Sequence, residues 1–237
     1  LKQQTRSWQT YFIQFDKKER KLTLSTEEDE GSTINENYSL SLNNVGIETG
    51  IITNSGTLNL NGGSTNSVNN TGTININGGL AGSIDNAGTV NINTDYEINN
   101  GITANAYADT NIVNIGNGIN ANETTLKSAI TKQLINISNN TTLTLDDETG
   151  SITNSTIYVS SDGTFVADTS NITNTLIKSA GALELKGNSS INIKGINITS
   201  DFGSLKLIGD LNNHNNGISV ETIDLNGNNL TGYCFLY

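Results

Sequence analysis

Short segments in which apolar and polar residues alternate return along this chain at a fixed interval. Three of them follow one another 16 residues apart, namely TLNLN (57–61), TININ (73–77) and TVNIN (89–93). Alternation with a period of two predicts strands whose apolar side chains point to one face and whose Thr and Asn side chains point to the other. A second apolar column at the same interval holds Ile52, Val68 and Ile84.

A single strand of this kind cannot bury its apolar face. If the strand of the next repeat lies beside it, parallel and about 4.8 Å away, Leu58, Ile74 and Val90 become one continuous buried column. The apolar residues two positions later in each repeat then form a second column. The pattern therefore predicts an all-β protein that folds as a parallel β-helix (β-solenoid), with a divergent N-terminal segment.

Changes in spacing and composition divide the chain into predicted segments. Residues 1–32 lack the repeat and contain the aromatic stretch WQTYFIQF (8–15), which suggests a cap or an adapter. Residues 33–120 are predicted to be a narrow-coil β-solenoid with the 16-residue repeat. In residues 137–237 the strand-like pairs recur every 18–22 residues, which predicts a β-helix with wider coils.

Between these two stretches, residues 121–136 have a different pattern. Leu126, Ile130 and Leu134 follow one another at intervals of four, after an N-cap candidate and with few β-breaking residues. This spacing is typical of a helix, so we expect a helical or loop insertion here.

The turn before each repeated strand has Asn and Gly at the same positions in all three repeats. We expect the aligned Asn side chains to stack in a hydrogen-bonded structural ladder, and the aligned glycines to occupy a tight corner that needs positive φ. The residues of this predicted turn ladder are Asn54, Asn70, Asn86, Gly56, Gly72 and Gly88.

The outward face of the same strands carries files of short polar side chains. Such files are typical of a solvated face, and a regular T-x-N array is also able to organise water, as in ice-binding solenoids. As a tentative ligand-binding ladder the sequence offers Thr57, Thr73, Thr89, Asn59, Asn75 and Asn91.

Charge argues against nucleic acid as a partner. The chain has a net charge of −11, with six basic and two acidic residues in 1–21 and 6 basic and 21 acidic residues after them. The long acidic body should be repelled by nucleic acid and by anionic lipid. No apolar run approaches the ~20 residues that span a bilayer. Because the chain starts with Leu1 and contains no Met, we expect a fragment or a processed chain.

The candidate chemistry for catalysis is sparse, so we expect no catalytic residue, metal or cofactor. His214 is the only histidine and lies in a polar stretch that suggests an exposed loop, and Cys234 is the only cysteine. The repeat core contains a single carboxylate, Asp85, and the acidic group 146–148 falls at a predicted turn. Carbohydrate-cleaving β-helices need carboxylates gathered on one face, and this chain does not show that pattern.

Coils such as NNTGTININGG (69–79) and SAGALELKGNSSINIKG (179–195) resemble the passenger domains of bacterial autotransporters and related β-helical surface adhesins. The resemblance covers residues 33–232. It implies a passenger piece that is displayed at the bacterial cell surface or secreted, and that acts as an adhesin or a structural stalk. Its partners would be a host or neighbouring-cell surface protein or glycan, and an outer-membrane β-barrel translocator outside this fragment.

Two other classes of function stay open at this point. A water-ordering or ice-binding solenoid would use the T-x-N face. A glycan-active β-helical enzyme is a third class, and it would need an acidic site that the motifs do not show.

Overall fold

The computed structural model describes residues 12–16, 21–25, 32–44, 46–189, 191–195, 203–220 and 222–236. In these residues the chain is all-β, and its parallel strands stack into a β-solenoid of about nine turns. A single 3-10 turn, Thr169–Asn171, is the only helical element in the described part. The predicted fold class is therefore confirmed.

Most strands are two to five residues long. In the first half they are β1 (Phe12–Asp16), β2 (Lys21–Ser25), β3 (Thr33–Ile34), β4 (Ser39–Asn43), β5 (Gly46–Asn54), β6 (Thr57–Asn61), β7 (Ser64–Asn70), β8 (Thr73–Ile76), β9 (Ile84–Asn86), β10 (Thr89–Ile92), β11 (Tyr96–Ile98), β12 (Ile102–Thr103) and β13 (Ile112–Ile115). In the second half they are β14 (Asn122–Leu126), β15 (Ala129–Thr131), β16 (Leu134–Ile137), β17 (Thr141–Leu145), β18 (Ser151–Thr153), β19 (Thr156–Val159), β20 (Thr164–Asp168), β21 (Ile172–Thr173), β22 (Leu176–Ser179), β23 (Ala182–Ser189), β24 (Asn192–Gly195), β25 (Ser204–Val220), β26 (Thr222–Asp224) and β27 (Leu230–Leu236).

The solenoid strands form three parallel ladders, which we call faces 1, 2 and 3. Face 1 runs through β3, β5, β7, β9, β12, β15, β18 and β21. Face 2 runs through β4, β6, β8, β10, β13, β16, β19, β22 and β24. Face 3 starts at β11 and continues through β14, β17, β20 and β23, and the long β25 passes from face 3 to face 2.

The core is the inner seam of these ladders. On face 2, Leu58 pairs with Ile74 and Ile74 pairs with Val90, so the predicted column stacks in register. The column continues through the wider coils with Val113, Ile135, Ile157, Ile177 and Ile193. All of these side chains are fully buried. β-branched and other aliphatic side chains fit a pleated surface, so a column of them packs closely on face 2.

The coils widen earlier than the sequence analysis predicts. Asn75 lies 16 residues after Asn59, but Asn114 lies 23 residues after Asn91 and Asn136 lies 22 after Asn114. The narrow stretch thus ends near β10 rather than at residue 120. The added residues form β11 on face 3 and an outward excursion before β13, and face 2 keeps its register because both additions lie outside it.

The helix or loop insertion predicted for residues 121–136 is wrong. This segment contains the strands β14 and β15 and the start of β16, each of which pairs in parallel with the coils on both sides. Leu126 and Ile130 are fully buried, but they belong to different strands separated by a corner. An interval of four residues is therefore a strand–corner–strand spacing here.

The N-terminal prediction falls mostly outside the described residues. Within residues 1–32 the structure describes β1 and β2, which pair in an antiparallel hairpin, and Ser32. The backbone of β1 lies near β3, the first strand of face 1. Whether residues 1–32 act as a cap or as an adapter stays a prediction.

Replacing Ile74 by Ala tests the inner column. The change leaves a cavity that the neighbouring coils cannot close, so we expect the free energy of unfolding to fall by about 2–5 kcal/mol. Urea denaturation followed by far-UV circular dichroism measures it. Thr73→Ala, one residue earlier and outward-facing, is the matched control and should cost no more than about 1 kcal/mol. Equal losses in the two variants would contradict the inward placement of Ile74.

Candidate functional site

The outer side of face 2 carries a file of Asn side chains that are hydrogen-bonded to one another. Four of these amides donate from Nδ2 to Oδ1 of the Asn in the preceding coil, each at 2.8 Å, and the first, Asn59, donates to Ser41 Oγ at 3.2 Å. This outer amide ladder consists of Asn59, Asn75, Asn91, Asn114 and Asn136. The structure thus brings three of the predicted ligand-binding residues together and extends their file by two.

A second outer file runs parallel to the first, two residues further along each strand. Asn61 donates to Asn43 at 2.8 Å, Asn77 donates to Asn61 at 2.9 Å, and Asn93 donates to Asn77 at 2.8 Å. A primary amide carries both donors and an acceptor, so copies of it stacked at the coil spacing satisfy each other. The two Asn files of the T-x-N face are therefore partly occupied by their own hydrogen bonds.

The Thr file on the same face is short. Thr57, Thr73 and Thr89 pair in register, as the sequence predicts. The next two coils place Ile112 and Leu134 in the same column. The array of Thr hydroxyls thus covers three adjacent coils and ends where the coils widen.

The turn before face 2 contains a buried amide ladder. Asn54 Nδ2 donates to Asn70 Oδ1 at 2.7 Å, and Asn70 Nδ2 donates to Asn86 Oδ1 at 2.7 Å. Each of these amides also donates to a main-chain carbonyl of the following strand, Asn54 to Thr73 and Asn70 to Thr89. The three Asn side chains are at most 1% exposed, so the ladder satisfies polar groups that the corner leaves inside the protein.

The buried amide ladder begins at an unsatisfied acceptor. Asn54 Oδ1 has no hydrogen-bond partner among the described residues. Ile34, whose side chain offers no donor, pairs with Asn54 in the preceding coil. The ladder therefore starts at Asn54 and builds in one direction only.

Gln133 continues this ladder, and the sequence analysis missed it. Asn86 Nδ2 donates to Gln133 Oε1 at 2.8 Å, across a separation of 47 residues, and Gln133 is fully buried. In the coil between them, Asn111 turns its amide to the carbonyl of Ala106 instead. The longer Gln side chain bridges that coil. Gln133 is the only Gln after residue 14, and it lies outside the 16-residue repeat, so no repeated position marks it as a ladder residue.

The ladder glycines do not have the positive φ that we predicted. In the described part, positive φ occurs at other glycines, such as Gly62 and Gly78. A Cβ on Gly72 would collide with the carbonyl oxygen of Gly56, and one on Gly88 would collide with that of Gly72. Close stacking of one corner on the next is thus the reason for glycine here, and backbone conformation is not.

Charged side chains outside these ladders form exposed pairs. Lys127 Nζ lies 2.7 Å from Glu97 Oε1, and this hydrogen bond lowers the pKa of the Glu97 carboxyl and raises that of the Lys127 ammonium. Lys206 lies 3.4 Å from Glu184. Exposed pairs of this kind contribute little to stability.

The acidic group 146–148 is shaped by its turn. Asp146 Oδ1 accepts hydrogen bonds from Thr149 Oγ1, from the Thr149 amide and from the Glu148 amide, at 2.8–3.1 Å. These bonds, first that from the Thr149 hydroxyl, lower the pKa of Asp146. Asp147 pairs with Lys186. Asp85 lies on face 1 with its side chain exposed.

The single His and Cys fall inside strands. His214 lies within β25 rather than in a loop, and Cys234 lies within β27. Among residues whose side chains the structure describes, no group of three His, Cys, Asp or Glu side chains could hold a metal ion.

Comparison with protein-family models, curated proteins and solved structures gives no match to this chain. In the described residues, no helix is long and apolar enough to cross a membrane.

Gly72→Ala tests the close approach of successive corners. Overpacking against the Gly56 carbonyl and the Ser55 backbone should lower the free energy of unfolding by about 1–3 kcal/mol. Gly101→Ala is the matched control, because the nearest atom to its added Cβ is the Ala129 carbonyl oxygen at an ordinary 3.5 Å. Thermal and urea unfolding of both variants make the comparison. A Gly72→Ala protein as stable as the wild type would contradict this role.

Asn70→Ala tests the buried amide ladder. It removes both side-chain bonds that link the three coils, so we expect the free energy of unfolding to fall by about 1–3 kcal/mol. Asn75→Ala removes the equivalent bonds in the more exposed outer amide ladder and should cost less than about 1 kcal/mol. The measurement is urea denaturation at equilibrium. A larger loss for Asn75→Ala than for Asn70→Ala would contradict the structural ranking of the two ladders.

Proposed function

We propose that this chain is a surface-displayed β-helical passenger fragment that acts as an adhesin or a structural stalk and carries out no catalysis. One observation carries the proposal. Face 2 keeps its register from β4 to β24 while the coil length varies between 16 and 23 residues. A stack that continues through such changes is suited to act as a spacer that presents its insertions at set heights.

The composition of the outer surface supports a role in contact rather than in chemistry. The outward positions of face 2 are mainly Asn, Thr and Ser in the narrow coils. The Asp146 carboxylate is engaged by its turn, and Asp147 is paired with Lys186. A general acid or base needs a carboxyl whose pKa is raised toward neutrality, and the pKa of Asp146 shifts the other way.

An ice-binding solenoid is the alternative that the Thr file favours. Thr57, Thr73 and Thr89 stand in register on a regular parallel face. Against it, the file gives way to Ile112 and Leu134 in the next coils. A glycan-active enzyme would need a pair of carboxylates on one face, and the acidic turn at 146–148 is the best candidate for it.

An attachment assay tests the proposal. Beads coated with the chain are added to epithelial monolayers and to bacterial lawns. We expect several-fold more attachment than for beads coated with a globular protein of matched acidic charge. High salt serves as a control for charge, because an attraction between exposed charges is screened at high ionic strength.

Two further measurements separate the alternatives. Thermal hysteresis that is lost in Thr73→Leu would favour ice binding and contradict the adhesive function. Release of reducing ends from polysaccharides that is lost in Asp147→Asn would favour an enzyme. Equal attachment of coated and control beads to every surface would contradict adhesion.

A further inference from the structure

The outward excursion between β12 and β13, residues 104–111, is anchored to the solenoid wall. Asn111 is 4% exposed, and its Nδ2 donates to the carbonyl of Ala106 at 2.8 Å and to that of Lys132 at 3.3 Å. Lys132 Nζ donates to the Asn105 carbonyl at 2.7 Å. The excursion is therefore held against the wall by two side chains.

Tyr107, carried by this excursion, reaches along the rod to the start of β19. Its Oη lies 3.0 Å from Asp109 Oδ1 and 3.0 Å from Thr156 Oγ1, 49 residues away. An ionised carboxylate only accepts, so the phenol donates to Asp109 and accepts from Thr156. Burial raises the pKa of the Tyr107 hydroxyl, while the hydrogen bond with Thr156 lowers it and Asp109 adds a smaller increase. The ring is held at both sides of its hydroxyl, yet the residue is 41% exposed.

An open groove of about 480 Å³ lies beside this ring. The floor of the groove extends over three successive coils. Thr156 pairs with Leu176, and Leu176 pairs with Asn192. The corner residues Asn154 and Asn174 line one side. The groove therefore runs along the rod axis, with a rise of about 4.8 Å at each coil.

The lining of the groove is polar and uncharged. It combines an aromatic ring, the aliphatic Leu176, hydroxyls and side-chain amides. Asn174 Nδ2 donates to Asn154 Oδ1 at 2.8 Å, which leaves the second N–H of Asn174 and both N–H groups of Asn154 for another acceptor. The amide of Asn192 makes no hydrogen bond with the described residues. These amides and the ring face the same open space.

This set of groups matches a neutral sugar better than other ligands. A pyranose has a C–H face that packs on an aromatic ring, and a rim of hydroxyls that donate and accept as primary amides do. An anionic ligand would meet no cation in the lining and would face the −11 charge of the chain. A peptide adding as a strand would need a free ladder edge, but β19 and β22 in the floor are paired on both sides.

We propose that the groove beside Tyr107 binds a neutral oligosaccharide that lies along the rod axis. One sugar ring packs on Tyr107, and hydroxyls of successive sugars contact Asn154, Asn174 and Asn192. The site deepens the proposed adhesive function by naming a glycan as the adhesive target, and its biological role rests on that function. The binding itself does not depend on it.

The test uses the full chain against immobilised neutral hexasaccharides of glucose, mannose, galactose and N-acetylglucosamine. Heparin and polygalacturonate serve as anionic probes. The neutral hexasaccharide with the strongest signal is then titrated by calorimetry. We expect Tyr107→Ala to weaken binding at least about tenfold, Tyr107→Phe to weaken it less because the ring remains, and Asn174→Ala to weaken it several-fold.

Tyr158→Ala is the matched control. Tyr158 is an outward tyrosine on face 2, packed under Lys178, whose Nζ lies 4.9 Å from the ring centroid. Its loss should leave affinity unchanged. Far-UV circular dichroism and thermal unfolding check that each variant folds, which we expect because Tyr107 lies outside the buried core. Line broadening or shifts of the Asn side-chain amides in a heteronuclear NMR titration locate the ligand independently.

Several outcomes would overturn this inference. They are binding to no neutral hexasaccharide, a preference for the anionic probes, or an affinity that Tyr107→Ala leaves unchanged. The adhesive function fails separately. If beads coated with Tyr107→Ala attach like wild type and the chain binds no neutral sugar, the glycan-binding groove is contradicted and the adhesive function is not. If sugar binding depends on Tyr107 but no beads attach, the adhesive function is contradicted and the glycan-binding groove is supported.

Discussion

In-register parallel pairing is the constraint on which the rest of this structure depends. When strands stack directly on their counterparts, each side chain meets the equivalent side chain of the next coil about 4.8 Å away. A column therefore favours residue types whose side chains pack against, or hydrogen-bond to, side chains of the same type. Aliphatic chains meet this condition inside, and amides meet it both in the corner and outside. Opposite charges also meet between coils, as Lys127 does with Glu97 and Lys206 with Glu184.

The same constraint explains which parts of the fold could be predicted from the sequence. Leu58, Ile74 and Val90 recur at a constant interval, so their stacking could be inferred. The start of the wider coils could not be placed accurately from the sequence. Their added residues lie outside face 2, and only the strand pairing of face 2 shows where one coil ends and the next begins. The spacing of Leu126 and Ile130 suits a helix and also suits two strands around a corner. Local pattern could not separate these, because the difference lies in pairing with distant coils.

The candidate site divides in a similar way. Asn54, Asn70 and Asn86 occupy the same position of the 16-residue repeat, so their ladder could be predicted. Gln133 joins that ladder only after an excursion that the repeat does not contain. Gly72 lies in the corner as predicted, but the predicted reason, a positive φ, is wrong. Both a positive φ and a close carbonyl oxygen require glycine, so the sequence alone does not distinguish them. Tyr107 could not be predicted, because its partner Thr156 lies two coils away.

The proposed recognition would use the irregular places of the rod more than its regular faces. In the outer amide ladder each amide already donates to its neighbour, so a partner gains less by replacing those bonds than by reaching amides with none. The exposed ring of Tyr107 lies where the excursion breaks the repeat, and Asn192 on β24 lines the same groove further along the rod. Because face 2 keeps its register around that excursion, the coil can acquire a recognition surface without disturbing the core beneath it. Variation in coil length thus adds irregular surface to the rod while the stacked core of face 2 stays in register.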